Sequence, residues 1–310
     1  MPRFDVTIPG ELNLDLILYG LPEQLIPERE LLADRMMLTV GGSSAIVAHN
    51  LAALGSSVGF QSRVGEDPFG QLALQRLQQS SVDISRVRAV PGPTTTGLTI
   101  YLQHDGWRNA LTYMGTISEL AWQDLDLDYL ADSRHLHLSS YFLQLGIQSH
   151  VPELFETMKS RGLTISMDTN DDPADQWESG FRDVLRYVDV FLPNEREACK
   201  AANTDDLEEA VQKLSRLVPL LVVKMGSKGA LAQRGSERLL SPSRNVVAVD
   251  AVGAGDSFDA GFLHQFVRGA DLEKCLASGN RAGALSVTRP GGTEAFRDVT
   301  FREEFLRQHA

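Results

Sequence analysis

Asp250-Ala251-Val252-Gly253-Ala254-Gly255-Asp256-Ser257-Phe258 sets a Gly-Ala-Gly turn and a carboxylate at the start of a helix. The run before it, Asn245 to Val249, is strand-like, and Phe258, Phe262 and Phe266 recur after it at helical spacing. The stretch therefore reads as a turn joining a strand to a helix. Small residues let the backbone approach a ligand closely. The unpaired N–H groups of a helix start carry the positive end of its dipole, which suits them to a phosphate or to the charge of a moving phosphoryl group. Asp256, beside those amides, can accept the proton of an attacking hydroxyl. The competing reading makes Asp256 or Ser257 an ordinary cap and the glycines a tight turn. Two other phosphate loops fail on spacing: a dinucleotide fingerprint needs a third glycine where Phe258 stands, and no G-x-x-x-x-G-K-[ST] occurs.

About 200 residues upstream, Gly41-Gly42-Ser43-Ser44-Ala45-Ile46-Val47-Ala48-His49-Asn50-Leu51-Ala52-Ala53-Leu54-Gly55 is a glycine pair leading into a small-residue helix that stops at a glycine. Its alanines allow tight packing and Gly55 suits a helix end. Neither explains Gly41 and Gly42, which again imply a close backbone approach.

These two stretches, in this order, make the chain resemble the ribokinase (PfkB-type) family of carbohydrate kinases. Gly10 to Asp15, Val64 to Gly70, Asp168 to Asn170, Asn194 to Glu197 and Lys224 to Gly229 add family-like segments. The resemblance runs from about residue 4 to about residue 297. It implies an α/β fold, a doubly wound, mostly parallel sheet flanked by helices, with a small inserted β-sheet as a lid.

The composition agrees. The 310 residues are 43% hydrophobic, enough for a large core. No uncharged apolar run reaches the roughly 18 to 20 residues that span a bilayer, and Asp5 and Glu11 fall where a signal peptide would be apolar. Only Cys199 and Cys275 are present, in no paired or ligand spacing, and the seven histidines form no metal motif. A cytoplasmic protein without disulfides is expected. A net charge of −12, with no Lys/Arg run, argues against nucleic acid as a partner. It leaves room for ATP, which local amides, magnesium and a few cations can hold.

Strand signals at Phe4 to Ile8, Ser57 to Val64, Leu136 to Ser139, Leu163 to Asp168, Val188 to Leu192 and Leu220 to Lys224 alternate with helical stretches, including 44–54 and 70–79. That is the pattern of a parallel sheet. Two regions, 13–40 and 94–114, break the rhythm; the second carries two strand-like runs around a His104-Asp105-Gly106 turn. They are read as the lid, inserted into a single domain spanning 1–310. In many members of the resembled family this sheet also makes a dimer contact.

Carried over residue by residue, the resemblance assigns Asp256 as base and the amides of Ala254, Gly255 and Asp256, with Gly253 completing the turn, as anion hole. Asn194 and Glu197 match an N-x-x-E motif that acts on magnesium through bound water; Glu197 also suits the first turn of a helix. For the acceptor, Asn13 and Asp15 alternate on one strand face, where a carboxylate can accept from neighbouring hydroxyls. A polar outer face would give the same alternation. Gly41 and Gly42 let the backbone close over the sugar, and Arg108 belongs either to the surface or to an anionic group on the substrate. Lys224, Gly226, Ser227 and Gly229 fall on the nucleotide-side turn, and Asn280 with Gly283 where a helix flanks the adenine. Asp250 and Val252, with the loop 287–292, correspond to a site for a monovalent cation such as K+ in many members. Three positions depart from the family pattern. Ala251 replaces Thr, Ile46 replaces an Asn that contacts the sugar and so predicts a more apolar wall, and Ala295 lies near a polar cation ligand. The expected activity is ATP-dependent phosphorylation of a primary hydroxyl on a small sugar or sugar-like molecule, with ATP and Mg2+ as cofactors. A nucleoside kinase of the same fold and a catalytically idle sugar sensor are the alternatives.

Overall fold

The computed structural model describes residues 2–104, 107–178 and 180–309, with only the backbone at Trp107. The expected turn residues Asp105 and Gly106 lie outside the described residues. The strands are β1 (Phe4–Pro9), β2 (Asn13–Tyr19), β3 (Arg35–Gly41), β4 (Val58–Gly65), β5 (Asp83–Val90), β6 (Leu98–His104), β7 (Trp107–Tyr113), β8 (Ser133–Leu138), β9 (Thr164–Met167), β10 (Val190–Phe191), β11 (Leu220–Lys224), β12 (Ala230–Arg234) and β13 (Glu237–Ser241).

Nine of them form one sheet in the order β13-β12-β11-β10-β9-β8-β1-β4-β5. It is parallel from β5 to β11, and β12 and β13 add an antiparallel edge. The inner strands are buried on both faces, as parallel strands covered by helices must be; every residue of Leu220–Lys224 is buried, and β8 and β9 bury a polar row in which His135 and His137 bond Ser166. Two apolar clusters fill the two faces: one holds Leu136, Phe155, Ile165, Phe181 and Phe191, the other Ile8, Phe60, Val222, Phe262 and Leu276. Each such side chain contributes about 1.5–3 kcal/mol on burial. The chain leaves β1 toward β4 on one side and returns as β8 on the other. That crevice at the carboxyl ends of the strands is where open α/β sheets take ligands.

The remaining strands form the lid sheet, in the order β3-β2-β6-β7. In-register pairs Asn13↔Gly41, Asp15↔Thr39 and Asp15↔Thr99 put Asn13, Asp15, Thr39 and Thr99 on one face. The other face carries Leu14, Leu16, Leu18, Leu38, Ile100 and Leu102. Helix Pro68–Gln78 is braced to the lid by Asp67, whose carboxylate caps it through Phe69 N and Gly70 N and also accepts from Thr96 N at 2.7 Å.

One element differs from expectation. Residues 245–249 belong to no sheet. Val247 is 86% exposed, and the amides of Val249 and Asp250 donate to the Val287 carbonyl at the end of helix Leu272–Ser286. The valines give strand propensity, but no neighbouring strand is there to pair with. The turn thus joins an extended segment, not a strand, to its helix.

Candidate active site

The carboxyl ends of the sheet strands deliver the site. Glu11 follows β1, Ser140 follows β8, Asp168 and Asn170 follow β9, Asn194 follows β10, and Lys224 ends β11. Helix Ala254–Phe266 points its start at them. Gly253 precedes it with φ 71°, a left-handed conformation that glycine adopts freely, and a Cβ there would lie 2.5 Å from the Gly292 Cα. The Ala254 amide is turned onto the Ala251 carbonyl at 3.3 Å. The amides of Gly255 and Asp256 have no acceptor among the described residues, so these two are the outward donors.

Asp256 is 7% exposed on the first turn of this helix, with Oδ1 3.4 Å from the Asn170 amide nitrogen. Burial, reinforced by the charge of Asp168, pushes its carboxyl up to about 6. Asn170 is held for that contact in a left-handed conformation (φ 52°): its N–H donates to Asp168 and its Oδ1 accepts from Ser140 N at 2.8 Å.

Behind the turn, Lys224 Nζ bonds Asp168 Oδ2 at 2.5 Å and Asp259 Oδ2 at 3.2 Å, all three side chains buried. Burial works against the ammonium charge, but the two carboxyls outweigh it and raise the Lys224 pKa. A Cβ on Gly255 would lie 3.5 Å from Nζ. The ammonium therefore lies close to the Gly255 side of the helix start, with its charge shared between Asp168 and Asp259.

On the lid face, Asn13 and Asp15 are both 2% exposed. The Asn13 amide nitrogen lies on two acceptors, Leu14 O at 3.1 Å and Asp15 Oδ1 at 3.4 Å, which fixes the orientation of the group. Its Oδ1 is buried with no partner among the described residues, an orphan of the kind a ligand hydroxyl satisfies. The Asp15 pKa is raised well above the usual carboxylate range by burial and by the charges of Asp256 and Asp250. The glycine pair now has its reason. A Cβ on Gly41 would lie 2.1 Å from Asp15 Oδ1, and one on Gly42, already at φ 87°, 2.6 Å from Asn13 Oδ1. Arg108 is exposed, with its guanidinium 5.6 Å from the Tyr101 ring centre. Ile46 is 2% exposed and would lie 2.7 Å from a Cβ on Gly292 and 3.3 Å from one on Gly253, so its apolar contact goes to the turn before helix Ala254–Phe266.

Asn194 and Glu197 form a reciprocal cap on helix Glu195–Ala202: Asn194 Oδ1 accepts from Glu197 N at 2.9 Å and Glu197 Oε2 accepts from Asn194 N at 2.7 Å. Burial and the Asp168 charge push Glu197 up to about 8. A carboxylate so placed gains from a divalent cation or its bound water, and these residues fit magnesium. Gly226 (φ 56°) and Ser227 form an exposed turn with open space beside Gly226, which fits a nucleotide phosphate or ribose. Gly229 lies against Ser241, Asn280 donates to the Ser241 carbonyl at 2.9 Å, and Gly283 allows close approach of its helix to Ala254 O. These three join strand β13, helix Leu272–Ser286 and the start of helix Ala254–Phe266 to one another.

Asp250 does not fit a cation as it stands. Its Oδ1 accepts from Val252 N at 3.0 Å and Gln103 Nε2 at 3.1 Å, and its Oδ2 from Tyr19 Oη at 2.9 Å and Gly291 N at 3.0 Å. Those four donors take the lone-pair directions a carboxylate has.

Glu11, Tyr19, Gln103, Asp168, Asn170 and Asp259 were given no role from the sequence. Glu11 accepts from Ser44 Oγ at 2.7 Å, from Ser140 Oγ at 2.9 Å and from Gln144, holding the start of helix Ser43–Ala53. Glu11 and Asp168 are acids placed just after apolar strands, and that signal was available.

A doubly wound sheet with a buried acid at a helix start and a separate sheet over it defines a ribokinase-like sugar kinase. The chain belongs to the pfkB family of carbohydrate kinases, which it matches over residues 4–298. It is 32% identical to a fructokinase from Klebsiella pneumoniae over 87% of this chain and 92% of that one. It is 29% identical to a cytidine kinase from Thermococcus kodakarensis, over 89% and 93%. A crystal structure of a putative ribokinase II from E. coli in complex with ATP and Mg2+ superposes with a TM-score of 0.86 at 25% identity, over 99% and 100% of the two chains. Among the described residues no helix is long and apolar enough to cross a membrane.

Proposed function

We propose that this carbohydrate kinase phosphorylates a primary hydroxyl of a small sugar or sugar-like molecule, with Asp256 as the base and the turn Gly253–Asp256 as the anion hole. The observation that carries the reading is the Asp256 carboxylate, buried on the first turn of its helix beside two unpaired amides and pushed up to about 6. A base of that pKa is largely ionised at pH 7 yet basic enough to take a hydroxyl proton as the oxygen attacks. The Gly255 and Asp256 amides, backed by Lys224, hold negative charge without having to reorganise. Asn13 Oδ1 and Asp15 accept from acceptor hydroxyls and orient the reacting one. The lid excludes water, which would otherwise compete as acceptor. Magnesium ATP, when bound, supplies the phosphoryl group and neutralises its charge, with Gly226 and Ser227 on the nucleotide side and Glu197 toward the metal.

The same reading makes 1–310 one kinase domain with the lid inserted at 13–40 and 94–114, and the lid a dimer contact. Met36, Leu111 and Tyr113 on its outward face are 63%, 56% and 54% exposed, and a second copy would cover them.

ADP release with Mg-ATP across pentoses, hexoses, sugar acids, sugar phosphates and nucleosides tests the proposal, with Asp256→Asn in parallel. One compound should drive turnover, and the variant should bind it while losing about 10²–10⁴-fold in kcat. Stabilisation by a sugar without turnover would make the chain a sensor. Preference for a nucleoside would move it to the nucleoside branch, and preference for an acid or phosphate would bring in Arg108.

A further inference from the structure

Asp168, Lys224 and Asp259 form a closed group behind Asp256. Lys224 Nζ lies 2.5 Å from Asp168 Oδ2, and 3.3 and 3.2 Å from Oδ1 and Oδ2 of Asp259. Asp168 is 1% exposed and Asp259 0%. The two carboxyl groups are also hydrogen-bonded to each other. An ionised carboxylate only accepts, so a bond between the pair needs a proton on one of them. Charge balance asks for the same proton. Two ionised carboxyls around one ammonium would leave a net negative charge buried beside Asp256, and an uncompensated buried charge is costly.

The partners of each group decide where the proton sits. Asp168 has the shorter contact with the ammonium, and its Oδ1 accepts from Asn170 N at 3.1 Å. Asp259 lies inside helix Ala254–Phe266, and its ammonium contacts are the longer ones. Burial raises the Asp259 pKa well above the usual range, whereas at Asp168 the ammonium outweighs burial and holds the group ionised. Two other elements bring titratable groups to this pair. On β8, burial holds His137 down to about 4, which leaves the ring neutral. On helix Glu195–Ala202, burial and the Asp168 charge push Glu197 up to about 8. On its own helix Asp259 follows Asp256 by three residues, so the two side chains are neighbours on one face. A charge on Asp259 would repel the Asp256 carboxylate and oppose the positive end of the helix.

We propose that Asp259 is a positioning residue that keeps its proton in the working enzyme, donating it to Asp168, tying the base-bearing helix to the sheet through Lys224 and adding no charge beside Asp256. The positioning role rests on Asp256 as the base; the proton does not. Asparagine reproduces the shape and the donor of a protonated aspartic acid, whereas leucine keeps the volume and loses the donor.

Denaturant unfolding of wild type and Asp259→Asn in parallel tests the proton without any turnover. A group protonated in the fold and ionised in the unfolded chain favours the fold less as pH rises. The unfolding constant of wild type relative to Asp259→Asn should therefore rise about tenfold per pH unit between about pH 5 and pH 7. Asp256 and Glu197 are present in both proteins and drop out of the ratio. A ratio independent of pH overturns the proposal. For the positioning role, Asp259→Leu should lower kcat at least about tenfold and Asp259→Asn should recover most of it, with the acid limb of kcat/KM still near pH 6. A limb moved to lower pH in Asp259→Asn would mean that wild-type Asp259 carries a charge, which overturns the proposal, as does full kcat in Asp259→Leu. Should the leucine variant fail to fold, the unfolding ratio and the acid limb still decide. A pH-dependent ratio in a chain without turnover would uphold the proton and overturn the positioning role together with the kinase reading.

Discussion

Tyr19, on the lid, donates to Asp250, on the turn that leads into helix Ala254–Phe266, across 2.9 Å. Gln103, from the next lid strand, donates to the other oxygen of the same carboxylate. The small sheet and the turn that starts helix Ala254–Phe266 are therefore tied at one residue. Tyr19→Phe removes one of two lid bonds and should lower kcat/KM for the acceptor about 3- to 10-fold, the worth of one net hydrogen bond. The thermal midpoint should move little. Steady-state kinetics with the acceptor varied at saturating Mg-ATP checks it, and an unchanged kcat/KM would mean the bond is structural only.

Because four donors already occupy Asp250, activity should not depend on potassium. Turnover in choline chloride should equal turnover in potassium chloride at the same ionic strength. Marked activation by potassium would show that Tyr19 or Gln103 gives way to the ion.

Asp256 predicts two pH dependences. As a base with a pKa of about 6, it should give a kcat/KM that rises as pH increases through that value and is flat above it. Its effect on stability has the opposite sense. A carboxyl whose folded pKa is raised favours the fold below its unfolded pKa, and that contribution is lost as pH rises through about 6. Asp256→Asn removes the cost of the buried charge, at most about 3 kcal/mol. The variant should thus melt higher than wild type at pH 7 to 8 and equally near pH 4, which calorimetry at both pH values measures.

Lys224 bridges two buried carboxyls, Asp168 and Asp259; burial raises the pKa of Asp259 well above the usual range, whereas at Asp168 the ammonium outweighs burial and holds the group ionised. Lys224→Met leaves the Asp168 charge without its cation and should cost about 3–5 kcal/mol. Denaturant unfolding reads this directly. Adding Asp168→Asn to Lys224→Met should recover part of the loss, because the stranded charge is gone.

Gly41 has no room for a methyl group beside Asp15. Gly41→Ala should displace the Asp15 carboxylate and raise the KM for the acceptor, while the KM for ATP stays as in wild type. An equal change in both would place the defect in the fold and not in the acceptor pocket.

Much of this was legible because it is local. The strand and helix alternation, the Gly41-Gly42 pair and the 253–256 turn are short-range patterns of size and polarity, and the structure keeps them within a few residues of where they were read. Residues 245–249 misled because β-branched side chains report propensity, whereas a strand also needs a neighbour. Asp250 was read as a candidate cation ligand, and two of its four donors come from lid residues 231 and 147 positions away.

By itself the sequence determined the family, the parallel sheet with its inserted lid, and the residue types at each strand end, since these follow from periodicity and from glycines that tolerate no Cβ. Tertiary structure alone decided which charges meet: Lys224 between Asp168 and Asp259, Asn170 on Asp256, and Tyr19 and Gln103 on Asp250. The physical reason is that a carboxylate's pKa, and hence its role, depends on burial and on partners within a few ångströms, and those partners arrive from strands and helices far apart in the chain.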